Sequence, residues 1–353
     1  MSSSLQPKAV ALISGGLDSM LAAKVVMDQG VDVEGVNFYT GFCVEGHTHA
    51  IRKRHQERPK RNNALWVANQ LGIKLHVVDV VEEYKDVVLN PKHGYGKNLN
   101  PCLDCKVFMV GKAMEMVGFH GEQFDFAVTG EVIGQRPKSQ RRETMPIIAH
   151  ESGAEDRLLR PLCAKSLPET LPERMGWVKR ENLFGFSGRT RKPQIELAKK
   201  FGIENYAQPA GGCCFLTDET YSNKLKDLWI ARDERDYELD DVVLLKIGRH
   251  IRPQPNFKLV IAREEGESRF LQGYRKRFTS LREVSLKGPL ALIDGRVDLE
   301  DVRLAAKIVA RYGQSRSKPK VAMEIRYKDG SGEQLEVEPF QAHQIPDTWH
   351  VGN

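Results

Sequence analysis

The chain has 353 residues, 41% of them hydrophobic, with six cysteines and a formal net charge of +6. This is too long for one ordinary domain and apolar enough for real cores, while no stretch approaches the roughly 18 unbroken apolar residues of a membrane helix. The start, M-S-S-S-L-Q-P-K, lacks the apolar run of a secretory signal, so a cytoplasmic protein without a membrane partner is expected, and its few cysteines point to metal or catalysis rather than a disulfide scaffold.

In chain order, K-A-V-A-L-I at 8–13 is a buried strand running into S-G-G, and 18–29 has helical apolar spacing stopped by Gly30. Val33 to Tyr39 reads as a second strand, Asn62 to Leu71 as a helix and Lys74 to Val80 as a third strand. A helical stretch closes over Ala113 to Phe119, and F-D-F-A-V-T at 124–129 is a fourth strand ending at Gly130. K-P-Q-I-E-L-A-K-K-F-G at 192–202 is one more short helix. This rhythm predicts an α/β fold, a doubly wound parallel sheet with ligands at the carboxyl ends of its strands.

Beyond about Arg235 the texture changes. Val242 to Leu245, Lys258 to Ile261 and Ala291 to Ile293 read as short strands, followed by a helix over Leu299 to Tyr312. A looser stretch from Gly313 carries a last hairpin, M-E-I-R-Y-K-D-G-S-G-E-Q-L-E-V-E. The expected division is therefore a domain at 1–235, a smaller α+β domain at 236–325 and a tail at 326–353. Basic residues come in clumps (Arg52 to Arg54, Arg58 to Arg61, Arg136 to Lys138, Arg141-Arg142, Arg189 to Lys192, Arg275 to Arg277), which favours a polyanionic partner over a merely solvated surface.

Three stretches carry chemistry. S-G-G-L-D-S at 14–19 follows the first strand; its glycines let the backbone approach an anion, and the amides, Ser14, Ser19 and the helix start form an anion site. T-G-E-V-I-G-Q at 129–135 follows the fourth strand. C-L-D-C at 102–105 could clip zinc, exchange disulfides, hold an iron–sulfur cluster or carry sulfur, with Asp104 read as a turn residue. Cys43 and Cys163 read as small packing residues.

S-G-G-L-D-S resembles the pyrophosphate loop (PP-loop) of the ATP pyrophosphatase superfamily, with its adenine nucleotide alpha hydrolase-like fold. T-G-E-V-I-G-Q, L-L-R-P-L at 158–162 and the K-P-Q-I-E-L-A-K-K-F-G-I stretch resemble segments of tRNA 4-thiouridine synthases. G-G-C-C-F-L at 211–216 matches the place where thiouridine synthetases carry a reactive cysteine. The resemblance implies a tRNA thiolation enzyme that adenylates a uridine carbonyl, releases pyrophosphate and inserts sulfur, with carbon 4 favoured over carbon 2. It implies ATP and Mg2+ held by Ser14, Gly15, Gly16, Asp18 and Ser19, with Phe38, Gly130 and Gln135 lining the nucleotide pocket. Asp18, Cys105 and Cys214 are the implied catalytic residues.

The iron–sulfur-dependent members of that family pair a C-x-x-C with a later single cysteine. The resemblance therefore implies a [4Fe-4S] cluster on Cys102, Cys105 and Cys214, with Cys213 as the alternative third ligand. The competing design is a cysteine persulfide resolved as a disulfide, and a zinc or redox clip is the third. The sulfur donor would be free sulfide or a persulfide from a cysteine desulfurase. The usual 4-thiouridine synthase begins with a THUMP module that docks tRNA, whereas this chain starts at the catalytic domain. Asp240 to Arg252 resembles the NFACT RNA-binding module, which assigns tRNA contact to Lys246, Arg249, Arg252, Arg275, Lys276 and Arg277. An amide-forming ligase and a non-catalytic RNA-binding protein are the rival readings; neither uses clustered thiols together with both nucleotide motifs.

Overall fold

A computed structural model describes residues 6–44, 62–117, 123–207, 213–284 and 288–352. The clumps at 52–54 and 58–61, the end of the helical stretch at 118–119, and Gly211-Gly212 lie outside the described residues. The chain divides into two compact units, the first closing at Cys213 and the second opening at Cys214.

The first unit is built on β1 (Lys8–Leu12), α1 (Leu17–Met27), β2 (Asp32–Tyr39), α2 (Asn63–Leu71), β3 (Leu75–Asp79), α3 (Val81–Leu89), α4 (Cys102–Val117), β4 (Phe126–Val128), α5 (Thr144–Glu151), β5 (Leu158–Leu159), α6 (Leu171–Arg174) and α7 (Lys192–Lys200). Its five strands are all parallel, in the order β3-β2-β1-β4-β5. Both faces of β1 are covered, so Ala9, Val10 and Ala11 are fully buried and the strand reads as an unbroken apolar run. On one face Ala9, Ala11 and Ile13 pack with Leu17, Leu21 and Val25 of α1, and with residues of α2 and α7. On the other, α4 lies along β1 and β4 beside α3 and α5. The strand order reverses at β1, whose neighbours are β2 and β4. The crevice at the carboxyl ends of β1 and β4 is thus the topological switch point, where ligands of such sheets bind.

The second unit comprises α8 (Glu219–Arg232), α9 (Leu239–Leu244), β6 (Arg249–Gln254), β7 (Phe257–Ile261), α10 (Glu265–Leu271), β8 (Thr279–Glu283), β9 (Ala291–Gly295), α11 (Leu299–Arg311), β10 (Val321–Arg326) and β11 (Gly332–Val337). Its sheet is antiparallel, in the order β11-β10-β8-β9-β7-β6. Apolar residues of α11 (Val302, Ala305, Ala306, Val309) pack with Leu259, Ile261, Leu281, Ile293, Met323 and Ile325 of its strands.

Three sequence expectations need correction here. Val242 to Leu245 is not a strand: Val242, Val243 and Leu244 lie in α9 and Leu245 is its C-cap. The helix wins because Glu238 and Asp241 form a reciprocal capping box, and Asp240 and Asp241 place negative charge in the first turn. The hairpin at 321–337 is present but is no loose tail, since β10 pairs with β8 inside the sheet. Asp104 is helical rather than a turn residue; its carboxylate accepts from the His93 amide at 3.1 Å and ties the preceding loop to α4.

Candidate functional site

The loop after β1 is closed by its own hydroxyls. The Ser14 amide and hydroxyl reach Ser19 Oγ at 3.3 Å, Ser19 Oγ donates to the Gly16 carbonyl at 2.9 Å, and the Gly16 amide donates to Ser14 Oγ at 3.4 Å. Gly16 is the N-cap of α1 and no side chain caps it, which leaves the first amides of the helix for a ligand. Gly15 has a left-handed φ of 79°, and a Cβ there would lie 2.6 Å from Asn63 Cβ, so the loop is seated on the start of α2. Asn62 caps that helix by accepting from the Leu65 amide at 3.0 Å.

The turn after β4 closes the other side. A Cβ on Gly130 would lie 2.4–2.5 Å from the Asp18 carbonyl and the Ser19 amide, so the two motifs share one backbone interface with no room for a side chain. Gln135 Nε2 donates to Asp18 Oδ2 at 2.7 Å, and Gln194 Nε2 of α7 donates to Gln135 Oε1 at 2.8 Å. Asp18 Oδ1 is buried without a hydrogen bond among the described residues. A bare, inward carboxylate oxygen beside an anion cradle fits a hard divalent cation, so Asp18 would hold magnesium. The structure thus brings Ser14, Gly15, Gly16, Asp18, Ser19, Gly130 and Gln135 together. Phe38 is a buried residue of β2, and its carbonyl faces the Cys43 thiol at 3.9 Å.

Beneath the turn lies a buried ion pair. Glu131 accepts from Thr129 Oγ1 at 2.8 Å and Arg160 Nε at 3.0 Å, and Arg160 also donates to the Met145 carbonyl. Burial alone would raise the Glu131 carboxyl; Lys106, Arg160 and Thr129 together hold it below the usual range. T-G-E and L-L-R-P, far apart in the chain, are therefore one structural unit. Cys163 packs against Ile133 and Met145, with its thiol 3.2 Å from the Glu131 carbonyl.

C-L-D-C opens α4, with the Cys105 amide donating to the Pro101 carbonyl at 2.7 Å and the Cys102 thiol facing Ser139 Oγ at 3.4 Å. A helix start ordinarily favours the thiolate, but burial dominates at Cys105. It pushes this thiol up to about 12; a hydrogen bond from Tyr84 and the charge of Lys106 oppose the rise, and Cys213 and Cys102 add to it. Cys213 is exposed, while Cys214 opens the second unit with its sulfur 3.4 Å from the Leu216 amide. No group of three or more Cys, His, Asp or Glu among the described residues is disposed to hold a metal ion. The donor arrangement does not fit the expected [4Fe-4S] cluster, and no step is derived through one.

In the second unit the basic residues separate by partner. Arg252 is held by Asp227 in two contacts of 2.6 and 2.9 Å, and Arg277 donates to Asp240 at 2.7 Å. Lys246 lies over the Phe215 ring and Arg249 over Tyr312. Lys276 is exposed. Arg275 has a buried Nε without a hydrogen-bond partner among the described residues, and burial together with Arg326 and Arg282 lowers its affinity for its proton. Among the described residues Glu324 offsets these arginines, lying 3.8 Å from Arg282 and 2.8 Å from Arg326. Sequence reasoning missed Arg282 and Arg326, which stand isolated in the sequence and meet only through the pairing of β8 with β10. It also gave no individual role to Arg191, one of the basic clump at 189–192, or to Gln194 in the K-P-Q-I-E-L-A-K-K-F-G stretch.

Residues 7–151 match the family described as tRNA methyl transferase HUP domain, and residues 248–350 match the NFACT protein RNA binding domain. The tRNA-specific 2-thiouridylase MnmA of Malacoplasma penetrans is 25% identical over 228 residues, covering 62% of this chain and 59% of that protein. The MnmA of Treponema denticola is 27% identical over 246 residues, covering 67% and 62%. This chain therefore spans less than two thirds of the length of these curated relatives. A crystal structure of a 4-thiouridine synthetase–RNA complex with bound ATP has 24% identity and a TM-score of 0.39, covering 59% of this chain and 44% of that one. Among the described residues no helix is long and apolar enough to cross a membrane. Residues 7–151 thus form a domain of the tRNA methyl transferase HUP type, similar in sequence to tRNA-specific 2-thiouridylases, and an NFACT-type RNA-binding domain follows toward the C-terminus.

Proposed function

We propose that this protein is a cytoplasmic, ATP-dependent tRNA thiolation enzyme that replaces a uridine carbonyl oxygen with sulfur. The observation that carries the reading is the shared interface of S-G-G-L-D-S and T-G-E-V-I-G-Q at the switch point, with Gln135 fixing Asp18. The loop amides and serines would hold the phosphate chain of ATP, and the uridine oxygen would attack its α-phosphorus and expel pyrophosphate. Charge on that leaving group grows in the transition state, which the preorganised amides stabilise. Magnesium, when bound, supplies charge neutralisation at Asp18.

Sulfur then displaces AMP from the activated carbon. The design we favour puts on Cys105 a persulfide received from a donor persulfide such as that of a cysteine desulfurase. Its outer sulfur bonds to the carbon as AMP leaves; one thiol of the pair at 213–214 then attacks the Cys105 sulfur and releases the thiouridine, and the disulfide left behind is reduced by an external thiol. A persulfide ionises more readily than the half-buried Cys105 thiol, which would otherwise stay protonated near neutral pH. The competing design, a [4Fe-4S] cluster on Cys102, Cys105 and Cys214 or Cys213, needs three thiols converging on one point. The names of the curated relatives favour carbon 2 of uridine, whereas the T-G-E-V-I-G-Q resemblance favours carbon 4. The tRNA would be gripped through the second unit, with Arg275, Arg282 and Arg326 as phosphate contacts. As functional boundaries we take the catalytic part to end before α8 and the RNA-binding part to run through β11. Nucleoside mass spectrometry of tRNA from a deletion strain tests the whole reading: loss of one thiouridine, restored by the wild-type gene but not by Asp18→Ala, supports it. An unchanged nucleoside profile would reject it.

A further inference from the structure

Asp18 is served unequally. Its Oδ2 accepts a good hydrogen bond from Gln135, but its Oδ1 faces Arg191 Nη2 at 3.8 Å, too long for a hydrogen bond. Arg191 Nε is buried and also donates to nothing among the described residues. The backbone that leads into Arg191 is nevertheless anchored. Gly188 donates to the Ile133 carbonyl at 2.7 Å, which locks the approach to α7 onto the turn containing Gln135. Fully buried Gln194, three residues past Arg191, orients the Gln135 amide so that its Nε2 points at Asp18.

An arginine placed simply to neutralise Asp18 would close the last stretch and form the bidentate fork that guanidinium and carboxylate favour. Here two opposite charges stop short, each with a bare buried polar atom. The ligand that satisfies both must offer an acceptor to Arg191 and a cation or donor to Asp18 Oδ1. Phosphate alone meets the first demand and is repelled by the second; a lone divalent cation does the reverse. A polyphosphate chelated to a divalent cation meets both.

We propose that Arg191 is a phosphate-binding residue of this site, specific for a cation-chelated polyphosphate such as the pyrophosphate end of ATP. On binding, its guanidinium turns from Asp18 to the phosphate oxygens while Asp18 takes the cation. The assignment rests on the nucleotide reading above and adds to it a residue outside both loop motifs.

The test is calorimetric titration of the full-length protein with magnesium pyrophosphate and with pyrophosphate in EDTA, comparing wild type, Arg191→Lys and Arg191→Gln. Hydrogen bonds to a charged group predict that Arg191→Gln weakens magnesium pyrophosphate binding about ten- to a hundredfold. Arg191→Lys, which keeps the charge but not the fork, should fall between. The ligand-free melting temperature should hardly move in either variant, because no hydrogen bond to Asp18 is lost. Unchanged pyrophosphate affinity in Arg191→Gln overturns the proposal, and a several-degree loss of melting temperature alongside it would make Arg191 a structural prop. Equal wild-type affinity with and without magnesium would overturn the chelate. Wild-type protein that binds neither ATP nor pyrophosphate would overturn the nucleotide reading itself, and this assignment with it.

Discussion

Replacing Arg160 by methionine removes one partner of the ion pair under the candidate site and leaves Glu131, 1% exposed, to be satisfied by Thr129 and the more distant charge of Lys106. Breaking a buried pair in this way costs about 3–5 kcal/mol because the remaining charge is stranded. For a unit of this size each kcal/mol lowers the melting temperature by about 2–4 °C, so a fall of about 6–20 °C is expected in the transition of the first unit. The second unit should melt as before. The double variant Arg160→Met/Glu131→Leu should recover most of the loss, since it removes both charges together. pH adds an independent check. The folded Glu131 carboxyl lies below its ordinary value of 4.5, so its stabilising effect is complete above that value and disappears as pH falls through the depressed folded value. Arg160→Met should accordingly flatten the acid limb of the stability curve. Scanning calorimetry from pH 3 to 8 measures both effects. A double variant no more stable than the single one, or an acid limb identical in wild type and Arg160→Met, would refute the reasoning.

Asp18→Asn should melt within a few degrees of wild type yet lose pyrophosphate release about a hundredfold or more, as expected when charge stabilisation at the phosphates is removed; a coupled pyrophosphate assay with tRNA and ATP measures it. Cys105→Ala should keep tRNA-dependent pyrophosphate release and lose thiolation. Iron and sulfide analysis of anaerobically reconstituted wild type and Cys102→Ala decides between the sulfur designs, because stoichiometric iron lost together with thiolation in Cys102→Ala would establish the cluster. Exchanging Arg275, Arg282 and Arg326 for glutamine should lower tRNA affinity and reduce the slope of log affinity against log salt by about 2–3, near one counterion per phosphate contact. Arg252→Gln should instead destabilise the second unit, because its partner is Asp227. Lys224, buried beside the Leu245 carbonyl, has its pKa brought down to about 8 by burial and by Arg263 and Lys258. Its folded form therefore binds protons less readily than the unfolded chain, and the cost of burying its charge is relieved as pH rises from 8 toward 10.5. Lys224→Met should stabilise the second unit at pH 7 and lose that advantage near pH 10, as followed by urea unfolding.

The parallel sheet was legible because strands buried on both faces leave unbroken apolar runs, as in K-A-V-A-L-I. The same property misled at Val242 to Leu245, where a short apolar run reads alike in helix and strand; the acidic pair Asp240-Asp241 was the signal that separates them. Loop motifs were legible because contiguous glycines and hydroxyls carry their geometry locally. Arg191 was hidden inside a basic clump whose members look identical until tertiary contacts sort them. Likewise Arg252 and Arg275 share a residue type, yet one is spent on Asp227 and the other is left among like charges. Cys102 and Cys105 were legible as a pair, but their spacing carries no information about burial, which sets the protonation of Cys105.

The phosphate loop is held between two backbones, the start of α2 beneath Gly15 and the β4 turn against Asp18 and Ser19. Such a clamp has no slack, so the conformational entropy of shaping the cradle is lost when the domain folds rather than when nucleotide arrives. Affinity then depends on residues that never touch the ligand. Asn62, exposed on the surface, holds the first turn of α2 in place under Gly15. A lost helix cap would loosen the wall behind the loop, and nucleotide affinity would drift with the fraying of a helix end on the surface.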